Sequence, residues 1–127
     1  MHPNEERLRT AYEAFARGDL DAYLAMCADD IEFHVPGSTP FSGVHTKADF
    51  PQWITGVMEI AQGSFREVPY GFVANDDHGV VMLDHYLQRD GRDIHYRTNH
   101  LYDFLDGSFA RWEEWPASEE AFNQAWS

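Results

Sequence analysis

The chain is predicted to fold as an α+β domain, in which helices precede a run of antiparallel strands. Apolar residues recur every three or four positions as far as Ala61, and from Phe65 to Trp115 strand-like alternation is broken by turn pairs. An apolar fraction of 43% with 15% aromatic residues supplies a core, and 127 residues suffice for one domain, taken as residues 1–127. Three helices laid on one face of a strongly curved, mainly antiparallel sheet, with a short C-terminal helix, follow from that order.

From Glu5 to Arg17, Leu8, Ala11, Tyr12 and Phe15 mark one helix face, which Gly18 ends. Asp19 caps a second helix whose stripe runs through Leu20, Tyr23, Leu24 and Cys27 before Asp29-Asp30 breaks it. Ile31, Phe33 and Val35 then alternate with Glu32 and His34, the period-2 pattern of a short strand, so His34 points away from Phe33. A loop with Pro36, Gly37, Pro40 and Gly43 follows. Thr46-Lys47-Ala48-Asp49 reads as a capping box for a third helix carrying Phe50, Ile54, Val57, Met58 and Ala61. Strands are expected at Val68–Ala74, Val80–Gln88, Asp93–Phe104 and Phe109–Trp115, with Pro69 calling for a bulge or an edge. The Asp90-Gly91 and Asp106-Gly107 pairs mark tight hairpins, and Ser118 opens the terminal helix bearing Phe122 and Trp126.

A net charge of −13 repels phosphate backbones and anionic headgroups, so neither nucleic acid nor a membrane surface is an expected partner; a small apolar or weakly polar molecule is. A lone Cys27 excludes an intramolecular disulfide and a cysteine-rich zinc site, and suits a reducing compartment. No leader-like segment and no apolar run of membrane-spanning length is seen, so a cytoplasmic location is expected. Sequence signatures for metalloprotease, EF-hand, P-loop and dinucleotide sites are missing.

The residues able to carry chemistry lie on the strands. His34 ends an apolar run beside a loop and is the first candidate, as a base. On the Asp93–Phe104 strand the apolar parity is Ile94, Tyr96, Thr98, His100, Tyr102 and Phe104. His100 is therefore either a core histidine bonded to a tyrosine or the backbone, or an imidazole facing a pocket. His85 interrupts the apolar face of Val81, Leu83 and Leu87, at the core edge or in the same pocket. Glu114 shares parity with Trp112, as an exposed acid or a buried one of raised pKa. Histidines 34, 85 and 100 with Glu114 form no metal motif by spacing, so neither a metal nor any other cofactor is expected, and acid–base chemistry is preferred.

Taken together, Tyr12-Glu13-Ala14-Phe15, Arg17-Gly18-Asp19-Leu20-Asp21, Ala28 to Phe33, Pro40-Phe41-Ser42-Gly43 and Asp103 to Gly107 resemble the SnoaL-like and ketosteroid-isomerase-like branch of the nuclear transport factor 2 superfamily. The resemblance implies an NTF2-like cone-shaped barrel, a homodimer through the outer sheet face and an apolar pocket inside the cone. It places His34 where the isomerases have an aspartate base, and His100 where they have an acid that donates to the oxyanion. Glu114 falls at an acidic catalytic position of the cyclases. Ala11 stands where the isomerases have their oxyanion tyrosine, with Tyr12 beside it.

These readings converge on a cofactor-independent enzyme that isomerises, cyclises or dehydrates a small, largely apolar carbonyl or polyketide-like substrate. His34 would be the base, His100 the donor to the developing enolate, and Glu114 the orienter of His100 or the general acid. Tyr12, Phe15, Trp53, Val57, His85, Tyr96, Thr98, Tyr102 and Trp112 would line the substrate site. A noncatalytic binding or dimerisation module of the same fold is the alternative, and water addition to an epoxide a third.

Overall fold

The structure, a computed structural model, describes residues 1–127. Its elements run α1 (Pro3–Ala16), α2 (Leu20–Ala25), β1 (Cys27–Val35), β2 (Gly43–Thr46), α3 (Phe50–Ile60), β3 (Arg66–Ala74), β4 (His78–Arg89), β5 (Arg92–Leu105), β6 (Ser108–Pro116) and α4 (Glu119–Trp126). The strands form one curled sheet in the order β2-β1-β6-β5-β4-β3, antiparallel throughout except for the parallel β1–β6 pair. The α+β class, the four helices and the long hairpins agree with the sequence reading.

Local chemistry sets the boundaries. Pro3 opens α1, with the Asn4 N–H donating to His2 Nδ1 at 3.0 Å. The Asp19 carboxylate accepts from the Ala22 N–H and caps α2, and Ser118 Oγ accepts from the Ala121 N–H to cap α4. Asp90 and Gly91 both take positive φ, as do Asp106 and Gly107, the two-residue turn whose twist matches the flanking strands. Pro69 meets both of its expected conditions, lying on the edge strand β3 beside a register shift.

Several boundaries differ from the sequence reading. Cys27 belongs to β1 rather than to the α2 stripe, because it pairs with Phe109 across the parallel ladder while the Phe109 N–H donates to Met26 O. The loop after Val35 holds a short strand, β2, whose mostly exposed residues carry no apolar alternation to announce it. Thr46 and Asp49 do exchange capping hydrogen bonds, Asp49 N–H to Thr46 Oγ1 and Thr46 N–H to an Asp49 carboxylate oxygen, but they close the turn ahead of α3. β3 also differs, beginning at Arg66, two residues before the expected start, and so takes in Glu67.

The helices cover the concave face of the sheet. Phe33 on β1, Phe50 and Trp53 on α3 and Trp112 on β6 form one aromatic cluster, with Phe33 lying 5.1, 5.7 and 5.9 Å from the other three ring centroids. Leu8, Val81, Leu83, Tyr102 and Phe109 fill the layer beneath α1. At the other end, Arg89 Nη1 donates to the Ala125 and Ser127 carbonyls at 2.8 and 3.0 Å. That holds α4 where Phe122 and Trp126 close the mouth of a cavity.

Candidate functional site

The cavity lies between the concave sheet face, α3 and α4, and measures ≈ 70 Å³ as the space open to the centre of a water-sized sphere. Most of its wall is hydrophobic, and its only ionisable groups are Glu67, His85, His100 and Glu114 with the phenols of Tyr12, Tyr23 and Tyr96. Each of the four comes from a different strand or strand position: Glu67 on β3, His85 on β4, His100 on β5 and Glu114 on β6. Ladder register brings them together, because Glu67 is the cross-strand partner of His85, and His100 that of Glu114.

The distances are short. Glu67 Oε2 lies 2.9 Å from His85 Nε2 and 3.8 Å from His100 Nε2. Glu114 Oε2 lies 3.8 Å from His85 Nδ1 and 3.9 Å from His100 Nε2, and accepts a 3.0 Å hydrogen bond from Thr98 Oγ1. The outer nitrogens are held by phenols, His85 Nδ1 at 2.9 Å from Tyr96 Oη and His100 Nδ1 at 2.6 Å from Tyr12 Oη. The Trp126 indole N–H donates to Tyr96 Oη at 2.7 Å. His100 Nε2 has no hydrogen-bond partner in the protein, although the residue is only 3% exposed.

Burial decides the protonation chemistry. It pushes the Glu114 carboxyl from 4.5 to about 7, with Glu67 adding to the rise and His85 and Thr98 opposing it. Burial alone would lower His85, but its hydrogen bond to Glu67 and that carboxylate's charge, helped by Glu114 and Asp84, carry it above the ordinary histidine value. His100 gains no such help: burial and the neighbouring His85 hold it well below that value, so its ring is neutral. The cluster thus holds an acid poised near neutrality, an imidazole paired with a carboxylate and a neutral imidazole with a free nitrogen. Ligand atoms of Glu67, His85 and His100 all lie within 4.8 Å of one another, close enough to serve a divalent cation.

His100, Glu114, His85, Tyr12, Phe15, Trp53, Val57, Tyr96 and Trp112 all line the cavity as the sequence pattern suggested. Thr98 and Tyr102 stand behind the wall, Thr98 bonded to Glu114 and Tyr102 Oη 2.7 Å from Tyr12 Oη.

His34 requires correction. Its ring lies on the opposite face of β1 from Phe33, and Phe33 is the residue that lines the cavity. Strand alternation therefore sends the imidazole outward, where Nε2 meets the exposed carboxylate of Glu32 at 2.9 Å, two positions along the same face. Glu67 is the cavity residue that sequence reasoning missed. Its signal was the parity of Phe65, Glu67 and Pro69, a lone acid among apolar residues in register with His85.

Residues 8–112 match the SnoaL-like domain. The chain belongs to the SnoaL-like family. The fold has solved counterparts, each covering nearly the whole of both chains. Bal32a from a soil-derived mobile gene cassette is 22% identical over 98% of this chain and 97% of its own, with a TM-score of 0.89. An NTF2-like protein of unknown function from Burkholderia pseudomallei is 24% identical over 100% and 99%, with a TM-score of 0.87. TerC, crystallised with polyporic acid, is 22% identical over 97% of each chain, with a TM-score of 0.85. No curated protein matches the SnoaL-like chain by sequence. At these identities the likeness is one of fold, so this SnoaL-like protein has the NTF2-like cone, and its site must be argued from its own residues. No helix is long and apolar enough to cross a membrane.

Proposed function

We propose that this chain is an enzyme that moves a proton on a small, largely apolar carbonyl compound, in an isomerisation, an aldol-type cyclisation or a dehydration. The observation that carries the reading is the convergence, at one end of an otherwise apolar cavity, of two carboxylates and two imidazoles within 4 Å, one imidazole nitrogen unpartnered. A ligand seated against Phe15, Trp53 and Val57 would present its polar atom to that end. Glu114 takes the proton alpha to the carbonyl and returns it elsewhere, the role suited to an acid whose pKa sits near neutrality. His100 Nε2 meets the carbonyl oxygen, and the His85–Glu67 pair stands beside Glu114, with His85 Nδ1 3.8 Å from Glu114 Oε2.

TerC, a protein of this fold co-crystallised with polyporic acid, lends support to an organic ligand for the cavity. The outer sheet face, with Trp115 and Tyr70 56% and 53% exposed, supports a homodimer. The test is exchange of alpha protons for deuterium in a panel of small enolisable ketones, followed by NMR. Exchange above the buffer rate that Glu114→Gln abolishes is expected. Exchange equal in wild type and Glu114→Gln would remove the assignment, and a panel that binds without exchange would favour the noncatalytic module.

A further inference from the structure

We infer that a chain of three buried tyrosine hydroxyls fixes His100 as the tautomer that carries its proton on Nε2, so that the cavity selects ligands presenting a hydrogen-bond acceptor at that point. The inference deepens the proposed proton transfer and rests on that reading only for the identity of the acceptor, a carbonyl oxygen.

The argument is a count of hydrogens. Tyr23 Oη lies 2.9 Å from Tyr102 Oη, Tyr102 Oη 2.7 Å from Tyr12 Oη, and Tyr12 Oη 2.6 Å from His100 Nδ1. Those links run in one line, and each needs a single hydrogen; the Trp112 indole N–H, which also bears on the Tyr12 hydroxyl, only donates and takes none of the three links. If Nδ1 is bare, the three phenolic hydrogens fill the three links in one direction, Tyr23 to Tyr102 to Tyr12 to Nδ1. If Nδ1 carries a hydrogen, four hydrogens compete for the same links and one phenol is left without a protein acceptor. The three phenols are 4%, 1% and 6% exposed for Tyr23, Tyr102 and Tyr12, where a donor without a partner is costly. Burial raises all three phenols well above their ordinary value, so none gives up its hydrogen.

With Nδ1 accepting and the ring neutral, the one remaining hydrogen sits on Nε2. That atom has both carboxylates near it, Glu67 Oε2 at 3.8 Å and Glu114 Oε2 at 3.9 Å, both beyond hydrogen-bond length. A ligand oxygen placed against Nε2 would receive its hydrogen. A ligand donor would instead face a hydrogen. Tyr12 is the positioning residue that touches His100, whereas Tyr102 and Tyr23 act through it.

The tautomer is read directly by long-range proton–nitrogen correlation NMR on nitrogen-labelled protein, which needs no substrate. The wild-type His100 resonance is expected to show a protonated Nε2 and a bare Nδ1. Tyr12→Phe removes the donor and should move the hydrogen to Nδ1 or distribute it over both nitrogens. Tyr23→Phe leaves two phenols for two links, so the wild-type tautomer should persist, which also guards against a fold defect in Tyr12→Phe. A hydrogen on Nδ1 in wild type, or an unchanged tautomer in Tyr12→Phe, overturns the inference. Titration with cyclopentanone and with methylenecyclopentane, the same shape lacking the oxygen, tests the acceptor. The ketone should bind about tenfold tighter, the worth of one such hydrogen bond, and should shift the Nε2 hydrogen signal. Equal binding, or binding of neither, overturns the acceptor assignment. A confirmed Nε2 tautomer without any proton exchange would sink the proposed reaction and leave the tautomer standing.

Discussion

Glu114 gives the protein a pH dependence that runs opposite to that of an ordinary surface acid. Unfolded, its carboxyl ionises near 4.5, whereas in the cavity it keeps its proton to about 7. Between those values the folded state binds more protons than the unfolded state, so stability falls as pH rises across the interval and levels off above it. At about 1.4 kcal/mol per pH unit, the interval from 4.5 to about 7 amounts to ~3 kcal/mol lost from this group. Other groups face Glu114 and titrate too. His85, raised above its ordinary value, adds a loss as pH climbs through its folded pKa, while His100, depressed, adds a gain as pH climbs through the ordinary histidine range. The measurement therefore has to be a difference. Glu114→Gln keeps the shape and an oxygen for the Thr98 hydroxyl but cannot ionise. Urea unfolding of both proteins from pH 4 to pH 8.5 should show wild type losing ~3 kcal/mol relative to the variant as pH rises. A pH-independent difference would mean that Glu114 titrates normally. A difference of opposite slope would mean that it is ionised in the fold and held by His85, and either result would refute the desolvation argument.

Three further substitutions test separate parts of the structure. In Glu67→Gln, burial acts on His85 without its carboxylate partner, so an NMR titration should show its pKa dropping below the ordinary histidine value; an unchanged value would dissolve the pair. His34→Ala removes an outward ring whose one polar partner is an exposed glutamate, so stability should move by no more than about 0.5 kcal/mol and ketone binding should stay as in wild type. Loss of binding would return His34 to the site. Gly79→Ala builds a Cβ 2.9 Å from Leu8 Cδ1 and from the Phe104 ring, a clash between α1 and the sheet expected to cost about 1–3 kcal/mol in denaturant unfolding.

Much of this fold was legible because its signals are local. Asp-Gly pairs give their turn wherever two strands flank them, and the long alternation on β4 and β5 leaves only one face for the core. That same alternation put Tyr96 and His100 on the apolar face and left His85 at the core edge or in the pocket; the cavity contains all three. β2 was hidden since its exposed Val44 and half-buried His45 answer to pairing with β1, a tertiary fact. Glu67 was hidden because it precedes Val68, where the strand was expected to start, and only the pairing of β3 with β4 sets it opposite His85. His34 misled for a different reason: a histidine at a strand end draws attention, yet Phe33 beside it is fully buried, and one strand cannot turn both side chains to one face.

The arrangement of the site explains why its polar residues are found one per strand. Two carboxylates and two imidazoles inside an apolar cavity are each expensive to desolvate unless they are paired. Spreading them over β3, β4, β5 and β6 lets each meet a partner across the ladder: Glu67 with His85, Thr98 with Glu114 and, from outside the sheet, Tyr12 on α1 with His100 and Trp126 on α4 with Tyr96. Those contacts satisfy every buried side-chain polar atom of the cluster except His100 Nε2. A cluster evolved for stability alone would have closed that last bond with either carboxylate, both of which already stand within 4 Å. That unpaired nitrogen belongs to a ring that lines the cavity, and the apolar wall beside it would hold the rest of a ligand.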